Sequence, residues 1–250
     1  YPLASDLRAA GVRVVALADA RNEPSPLAEV ARADGVEILT GHAVTGTKGR
    51  MRLRGVSLAP IADDGLVSGN SARRFSCDLL CVSGGFSPTA HLLSQAGGRL
   101  TFDEKRGCLV PAHIPRGIRM AGSANGTFEL AAVLAEGEAV GVAAAEAVGL
   151  TTGALPEAVV DGGHGPGAVR TLWKIVADGR KTKQFVDLHN DATTADIALA
   201  AREGYRSVEH VKRYTTTGMG PDQGKLGNVN ALGVLADELG RPLNDEGTTT

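Results

Sequence analysis

The stretch whose residue types most favour chemistry is the turn GSANGTFEL, residues 122–130. It lies between a short apolar approach and an alanine-rich run that is typical of a helix. Gly122 and Gly126 let the backbone come close to a ligand, because glycine has no side chain in the way. A helix that begins just after such a turn offers N–H groups and positive potential to a phosphate. The sequence therefore predicts a turn where a strand meets a helix at a nucleotide phosphate, with a serine, Ser123, directly after the first glycine.

The cysteines are the next candidates for chemistry, and Cys77 and Cys81 form a C-x-x-x-C pair. Their surroundings, FSCDLLCVSGG, are typical of a strand, in which four steps place the two Cα atoms about 13 Å apart. A disulfide needs Cα atoms within about 7 Å of each other. We therefore expect buried, inert thiols, and the three cysteines, with Cys108 as the third, favour a reducing compartment.

The composition indicates a folded α/β protein. The chain has 250 residues, of which 43% are apolar, enough for a buried core. Its 33 glycines and 4% aromatic residues are typical of alanine-faced helices that pack closely on a sheet. The net charge of −2, with both signs interspersed, argues against nucleic acid or an anionic membrane as a partner. The apolar stretches are far shorter than the ~20 residues that span a bilayer, and no signal peptide opens the chain, so we expect a cytoplasmic protein.

Hydrophobic periodicity predicts a βαβ layout with an inserted β-meander in the first part of the chain. An amphipathic helix ends at Gly11 and leads into a strand over residues 12–17, and a second helix leads into a strand over residues 36–39. Residues 50–58 and 61–78 are typical of antiparallel strands. Further on, the pattern predicts a strand over residues 78–85, a helix over 88–98, a hairpin over 100–111, a strand over 118–121 and a helix over 128–148.

A parallel α/β unit normally starts with a strand, whereas this sequence opens in a helix. We therefore expect that a strand and a phosphate loop precede these residues in a larger protein. Residues 151–184 are rich in glycine and proline and predict a connector, in which His164 is solvated. The last third predicts three short helices. Thr194 and Ser207 are the expected caps of the first two, and the third carries an apolar face formed by Val229, Leu232, Ala236 and Leu239.

Two stretches resemble the flavoproteins with two dinucleotide-binding domains. CDLLCVSGGFSPTAHLL is similar to a strand and Gly-rich turn of that family, and IRMAGSANGTFELAAVLAEG is similar to its closing segment, where a strand ends in A-G-D. In flavin-binding members that aspartate hydrogen-bonds the ribitol of FAD. Here Ser123 takes its place, so the resemblance implies a nicotinamide dinucleotide, whose ribose does not need the carboxylate.

The region VDLHNDATTADIALAAREGYRSVEHVKRYTTTGMGPDQGK is similar to the bacterioferritin-associated ferredoxin type of [2Fe–2S] domain. In that family cysteines bind the cluster, whereas this chain has Asp187, His189 and Asp222 at the expected sulfur positions. Iron–sulfur ligation needs thiolates. We therefore expect a helical module without a cluster, and a solvated loop rather than another metal site.

The combination of both regions closely resembles the α subunits of heterotetrameric sarcosine oxidases. The resemblance implies a large subunit with a nucleotide domain, this region, and a folate-binding domain that takes tetrahydrofolate. It further implies bound NAD that does not react, FAD in the β subunit, FMN near the α/β contact, and β, γ and δ subunits as partners. Carried onto this sequence, it places the NAD site at Gly122, Ser123, Gly126, Phe128 and Leu130.

The domain organisation that follows from this resemblance has five parts. We expect residues 1–77 in a second nucleotide-type domain with inserted strands, 78–150 in the returning segment of the first dinucleotide-binding domain, 151–184 in a linker, 185–240 in the helical module and 241–250 in a linker to the folate domain. Asp19 and Arg21 stand where a ribose-reading residue of the second nucleotide domain would be.

The implied role of the chain is a scaffold that holds NAD and docks other subunits in an enzyme that demethylates sarcosine to glycine. No catalytic base or nucleophile stands out in the sequence, so we expect no activity from these residues alone. Three alternatives stay open: the α subunit of an opine, proline or cyanide-forming dehydrogenase, a pure protein-interaction module from residue 185 onward, and glycines in the turn that only satisfy its geometry.

Overall fold

The structure is a computed structural model that describes residues 1–62, 65, 67, 71–151, 153, 160, 165, 167–176 and 183–247. The chain divides into two compact units, Tyr1–Gly84 with Leu172–Gln184, and Gly85–Thr171 with Phe185–Thr250. His164 and much of the predicted linker over residues 151–184 lie outside the described residues.

The first unit opens with two helices and two parallel strands. The elements are α1 (Pro2–Ala9), β1 (Leu17–Asp19), α2 (Leu27–Ala33) and β2 (Ile38–Thr40). Gly11 and Gly35 follow the two helices with φ of 82° and 78°, a conformation that glycine adopts without strain. The predicted strand over residues 12–17 is wrong in its bounds, because β1 begins only at Leu17, where it pairs with the three residues of β2.

An antiparallel sheet completes the first unit and confirms the predicted β-meander. It consists of β3 (His42–Gly49), β4 (Leu53–Pro60) and β5 (Arg73–Phe75), in the order β3-β4-β5. Ala43 of β3 and Ala59 of β4 form a buried cluster with Ile61 and Val67. The neighbouring residues Leu58 and Ala59 of β4 are both buried, so this strand is covered on both faces there, since successive side chains of a strand point to opposite faces.

The second unit contains the hairpin and the long helix that the sequence predicts. Its first elements are α3 (His91–Gln95), β6 (Arg99–Asp103), β7 (Cys108–His113) and α4 (Leu130–Ala147). The strands predicted over residues 78–85 and 118–121 are absent, because neither segment pairs with a neighbouring strand in the part of the chain that is described. None of the described helices is long and apolar enough to cross a membrane.

The three predicted helices of the last third are confirmed. A two-stranded sheet, β8 (Phe185–Asp187) and β9 (Ala192–Thr193), precedes α5 (Thr194–Arg202), α6 (Val208–Thr215) and α7 (Asn228–Leu239). Thr193, rather than Thr194, caps α5, where its N–H and hydroxyl donate to Asp196 at 2.8 and 2.7 Å. The buried part of α7 is wider than the predicted apolar face: Leu232 and Ala236 of that face are buried, and so is every other residue from 231 to 236.

Candidate functional site

The candidate dinucleotide turn is held by local backbone geometry. Ala121 is extended, Gly122–Asn125 form one turn of 3₁₀ helix, and Gly126 closes it in the left-handed conformation with φ of 84°. The N–H of Thr127 donates to the Gly122 carbonyl at 3.1 Å. The chain therefore reverses within six residues before α4 begins.

Both glycines of the turn are required by its packing. Gly122 has φ of 64°, and a Cβ there would lie 3.1 Å from Cγ1 of Val133. A Cβ on Gly126 would lie 2.7 Å from Cγ1 of Val110, closer than carbon atoms approach. The turn needs glycine at both positions whether or not a ligand approaches it, so the open alternative of turn geometry accounts for them by itself.

Glu136 supplies a carboxylate to this turn from within α4. Its Oε2 accepts a hydrogen bond from the N–H of Gly122 at 2.8 Å, and its Oε1 accepts one from the side-chain amide of Asn125. Partial burial raises the pKa of Glu136, but these hydrogen bonds and one from the side chain of Thr127 hold its pKa below the ordinary range. No local sequence pattern indicates a role for Glu136, because its partners are 9 to 14 positions earlier in the chain.

The N–H groups at the start of α4 are not free, contrary to expectation. The carboxylate of Glu129 accepts hydrogen bonds from the N–H groups of Ala131 and Ala132 at 3.1 and 2.9 Å. An acid at this position is a normal helix cap and satisfies the positive end of the helix dipole. A phosphate at the same place would have to displace the carboxylate and tolerate its charge.

The other predicted site residues lie on the outer side of the turn. Ser123 is exposed, and Leu130 is 53% exposed. The ring of Phe128 packs against Phe86 with 5.5 Å between centroids and a tilt of 31°. The structure therefore brings Phe86, from the GGFSP loop, to the predicted site residues and forms an apolar surface beside the turn.

Asp19 and Arg21 form a closed network at the end of β1. The Asp19 carboxylate accepts hydrogen bonds from the hydroxyl of Tyr1 at 2.6 Å and from the guanidinium of Arg21 at 2.7 to 3.1 Å. It also accepts one from the backbone N–H of Arg21 at 2.9 Å. Because these contacts engage both oxygens of a carboxylate that is 9% exposed, the arrangement ties the end of the strand together.

The cysteines differ in environment, and the expectation that Cys77 and Cys81 are buried is wrong. Cys81 is exposed, Cys77 is half-buried and only Cys108 is buried. Burial raises the pKa of Cys108 to about 11, so this thiol is inert at neutral pH. Cys81 is accessible because its segment has no strand partner among the described residues.

The positions where the resembling ferredoxins carry sulfur do not assemble a metal site. Asp187 is 4% exposed, and its carboxylate accepts the N–H groups of His189, Asn190 and Gly218 at 2.7 to 3.0 Å. The ring Nε2 of His189 lies 3.8 Å from Oδ1 of Asp222. Within the described residues no group of three or more histidine, cysteine or acidic side chains could hold a metal ion. These residues do not fit a [2Fe–2S] cluster, which needs thiolates.

Known proteins similar to the chain share one description, the sarcosine oxidase α subunit. Residues 181–250 match the family described as the sarcosine oxidase A3 domain. The whole chain is 39% identical to the sarcosine oxidase α subunit of Rhizobium meliloti (strain 1021), of which it covers 24%. It is also 39% identical to that of Corynebacterium sp. (strain P-1), of which it covers 26%. For Corynebacterium sp. (strain U-96) the identity is 40% over 96% of this chain and 25% of the relative.

A solved structure shows the same fold at lower sequence identity. L-proline dehydrogenase from P. horikoshii superposes with a TM-score of 0.61 over 95% of this chain and 47% of that chain, at 20% identity. The two proteins therefore share a mixed α/β fold. The sequence identity to sarcosine oxidase α subunits extends along the whole chain, and the chain spans about a quarter of the length of two of these relatives, 24% and 26%.

Proposed function

We propose that the chain is the part of a sarcosine oxidase α subunit that holds NAD and docks partner subunits. The observation that carries this proposal is the 39% identity to two α subunits over the full length of the chain. The whole enzyme then oxidises the N-methyl group of sarcosine with oxygen, yields glycine and passes the one-carbon unit to tetrahydrofolate. FAD and FMN belong to the whole complex, and the folate domain lies outside these residues.

These residues serve as a scaffold and perform no chemical step. Among the described residues, the carboxylates with lowered pKa values all accept hydrogen bonds from the protein itself, and Cys108 is buried. These carboxylates are Asp19, Glu37, Asp103, Glu136 and Asp187. We therefore expect the chain alone to show no sarcosine-dependent oxygen consumption. Turnover above a no-enzyme control would contradict the scaffold role.

The dinucleotide site is proposed at the turn formed by Gly122, Ser123, Gly126, Phe128 and Leu130. An exposed hydroxyl and a pair of aromatic rings fit the ribose and ring of a dinucleotide. The carboxylate of Glu129 at the start of α4 argues that the pyrophosphate lies elsewhere and that the turn contacts an uncharged part of the ligand. When bound, NAD is a non-reacting cofactor in this proposal, and the turn only binds and orients it.

Calorimetric titration of the full-length α subunit tests this site. NAD should bind the wild type more tightly than FAD, because Ser123 has no carboxylate for the ribitol. Ser123→Asp should narrow that difference by strengthening FAD binding. Equal affinities of the wild type for NAD and FAD would refute the assignment.

The module from residue 185 is proposed as a degenerate [2Fe–2S]-type domain that serves as a docking surface for the β subunit. In α6, Val208 and Val211 face the core, while Glu209, His210 and Arg213 are exposed. Tyr205 and Tyr214 stack beside them with 4.8 Å between ring centroids. Such aromatic and arginine side chains are enriched at protein interfaces.

The docking role is tested by β-subunit binding of Arg213→Glu, with Glu238→Gln in α7 as control. Loss of binding in Arg213→Glu would support docking, and unchanged binding would refute it.

A second candidate function is the α subunit of a dehydrogenase that acts on proline or an opine, or that forms cyanide. The fold shared with L-proline dehydrogenase is the observation that favours it. Steady-state oxidation of sarcosine, proline and an opine by the complete complex separates the candidates. Preferred oxidation of proline would replace the sarcosine assignment.

The domain organisation is proposed on the same basis. Residues 1–77 and 78–150 belong to two dinucleotide-type domains whose other parts lie elsewhere in the subunit, and residues 241–250 lead to the folate domain. Support comes from the predicted strands that find no partner among the described residues. The proposal accounts for them as strands of a sheet that the remaining polypeptide completes.

A further inference from the structure

The turn before α4 lacks an acid at position 123 but still receives a carboxylate. Glu136 lies at the seventh position of α4, about two turns from its start. Both of its oxygens point back to the turn, where they accept the N–H of Gly122 and the side-chain amide of Asn125. The side chain of Thr127 provides another hydrogen bond.

These contacts hold the turn at its beginning, middle and end. Gly122 is buried, and its N–H points to Glu136 at 2.8 Å. A buried N–H without an acceptor is costly, so removal of the carboxylate forces this part of the turn to rearrange. Glu136 differs in environment from the other acidic residues of α4, since Glu138 and Glu146 are exposed.

The geometry also determines what the turn presents outward. With Gly122 and Asn125 held from the helix side, Ser123 remains on the exposed side of the turn. Glu129 neutralises the first N–H groups of α4, so the surface beside Ser123 carries a hydroxyl and apolar rings rather than free N–H groups.

We propose that Glu136 is the positioning residue of the dinucleotide turn, which it holds in the conformation that presents Ser123 to an uncharged part of the ligand. The proposal rests on the proposed NAD-holding function. In this proposal Glu136, which lies within α4, determines the conformation of the turn. Ser123 only contacts the ligand.

The test uses the full-length α subunit in its complex with three variants, Glu136→Ala, Glu136→Gln and the control Glu138→Gln. Hydrogen exchange of the peptide over residues 119–128 reports the turn, and calorimetry with NAD reports the ligand. Loss of one net hydrogen bond to a charged group changes an equilibrium constant roughly tenfold. In Glu136→Ala the amide hydrogens of the turn should therefore exchange about tenfold faster, and the Kd for NAD should be about tenfold higher. Glu136→Gln keeps one oxygen acceptor for Gly122 and should recover most of both losses, whereas Glu138→Gln should match the wild type.

The outcomes separate this proposal from the function on which it rests. Unchanged exchange in Glu136→Ala overturns it, because the turn then does not depend on the carboxylate. Faster exchange with NAD affinity equal to that of Glu138→Gln also overturns it, because Glu136 is then structural without positioning the ligand. If the wild type binds no NAD, the proposed function and the ligand-positioning role both fail, and the exchange data still decide whether Glu136 shapes the turn.

Discussion

At the residue scale, acidic side chains that could act on a ligand are instead bound by the protein itself. Asp19, Glu136 and Asp187 each accept hydrogen bonds from several donors of this chain. Buried or half-buried carboxylates need such partners, because removal of a charge from water is otherwise costly. The sequence shows the acids but not these partners, since Gly122 is 14 residues from Glu136 and Gly218 is 31 residues from Asp187.

Asp187 should make the stability of the module depend on pH in the acid range. Burial raises its pKa, but hydrogen bonds from the N–H groups of Gly218, Asn190 and His189 bring it below the ordinary 3.8. A depressed pKa stabilises the folded state above pH 3.8, and this contribution is lost as the pH falls through the folded pKa. Asp187→Asn should reduce the free energy of unfolding at pH 7 by about 2 kcal/mol. Below pH 4 the free energy of unfolding should depend less on pH in this variant than in the wild type.

The control for that prediction is Asp191→Asn in the same turn. Asp191 is exposed and has φ of 53°, a conformation that asparagine tolerates well. Urea unfolding between pH 2.5 and 7 gives the free energy of unfolding of both variants and of the wild type. Equal stability of the two variants would show that the three hydrogen bonds of Asp187 contribute nothing.

The cysteines should differ in reactivity as their environments differ. In native residues 1–250, Cys81 should react with a thiol reagent within minutes, whereas Cys108 should react only after unfolding, because its pKa is raised to about 11 by burial. Mass spectrometry of labelled peptides before and after addition of guanidinium measures this, with Cys81→Ser as control. Labelling of native Cys108 would contradict its burial.

At the element scale, glycines have opposite roles in loops and in α4. Gly224 has φ of 74°, and a Cβ there would lie 2.1 Å from Oδ1 of Asn228. Gly141 lies within α4, where an added Cβ would meet nothing within 4 Å. The sequence indicates glycine in both places, but only the structure distinguishes a glycine that the backbone requires from one that it does not.

Two alanine substitutions test this distinction in residues 1–250. Gly224→Ala should destabilise the module by about 2 kcal/mol or more, because the residue is strained and its Cβ collides with Asn228. Gly141→Ala should stabilise α4 by about 0.5–1 kcal/mol, because alanine loses less backbone entropy. Thermal unfolding followed by circular dichroism measures both shifts, and shifts of the same sign would contradict the assignment.

At the scale of the whole molecule, the apolar surface of α4 is not covered by any part of the chain that the structure describes. The helix has 18 residues, mostly Ala, Val, Leu and Gly, and none of them is buried. Leu130 and Leu134 are 53% and 41% exposed. An apolar surface of this kind marks a contact with another element, and the relatives are about four times as long as this chain. We therefore expect the remaining α-subunit polypeptide to pack on α4.

Leu134→Asp tests this expectation in two contexts. In residues 1–250 an exposed position should tolerate the change within about 0.5 kcal/mol. In the full-length subunit the same aspartate would be buried without a partner, and the yield of folded complex should fall sharply. Glu138→Gln serves as control in both contexts, and normal assembly of the Leu134→Asp subunit would show that α4 stays exposed there.

Features that depend on neighbouring residues could be predicted from the sequence. They are both early helices, the hairpin of β6 and β7 and the three helices of the module, because short-range propensity and capping act within a few residues. Which predicted strands find a partner, which cysteine is buried and which carboxylate binds the turn could be read only from the folded chain. Ladder hydrogen bonds, burial and the contacts of Glu136 join residues that are far apart in the sequence, so no local pattern records them.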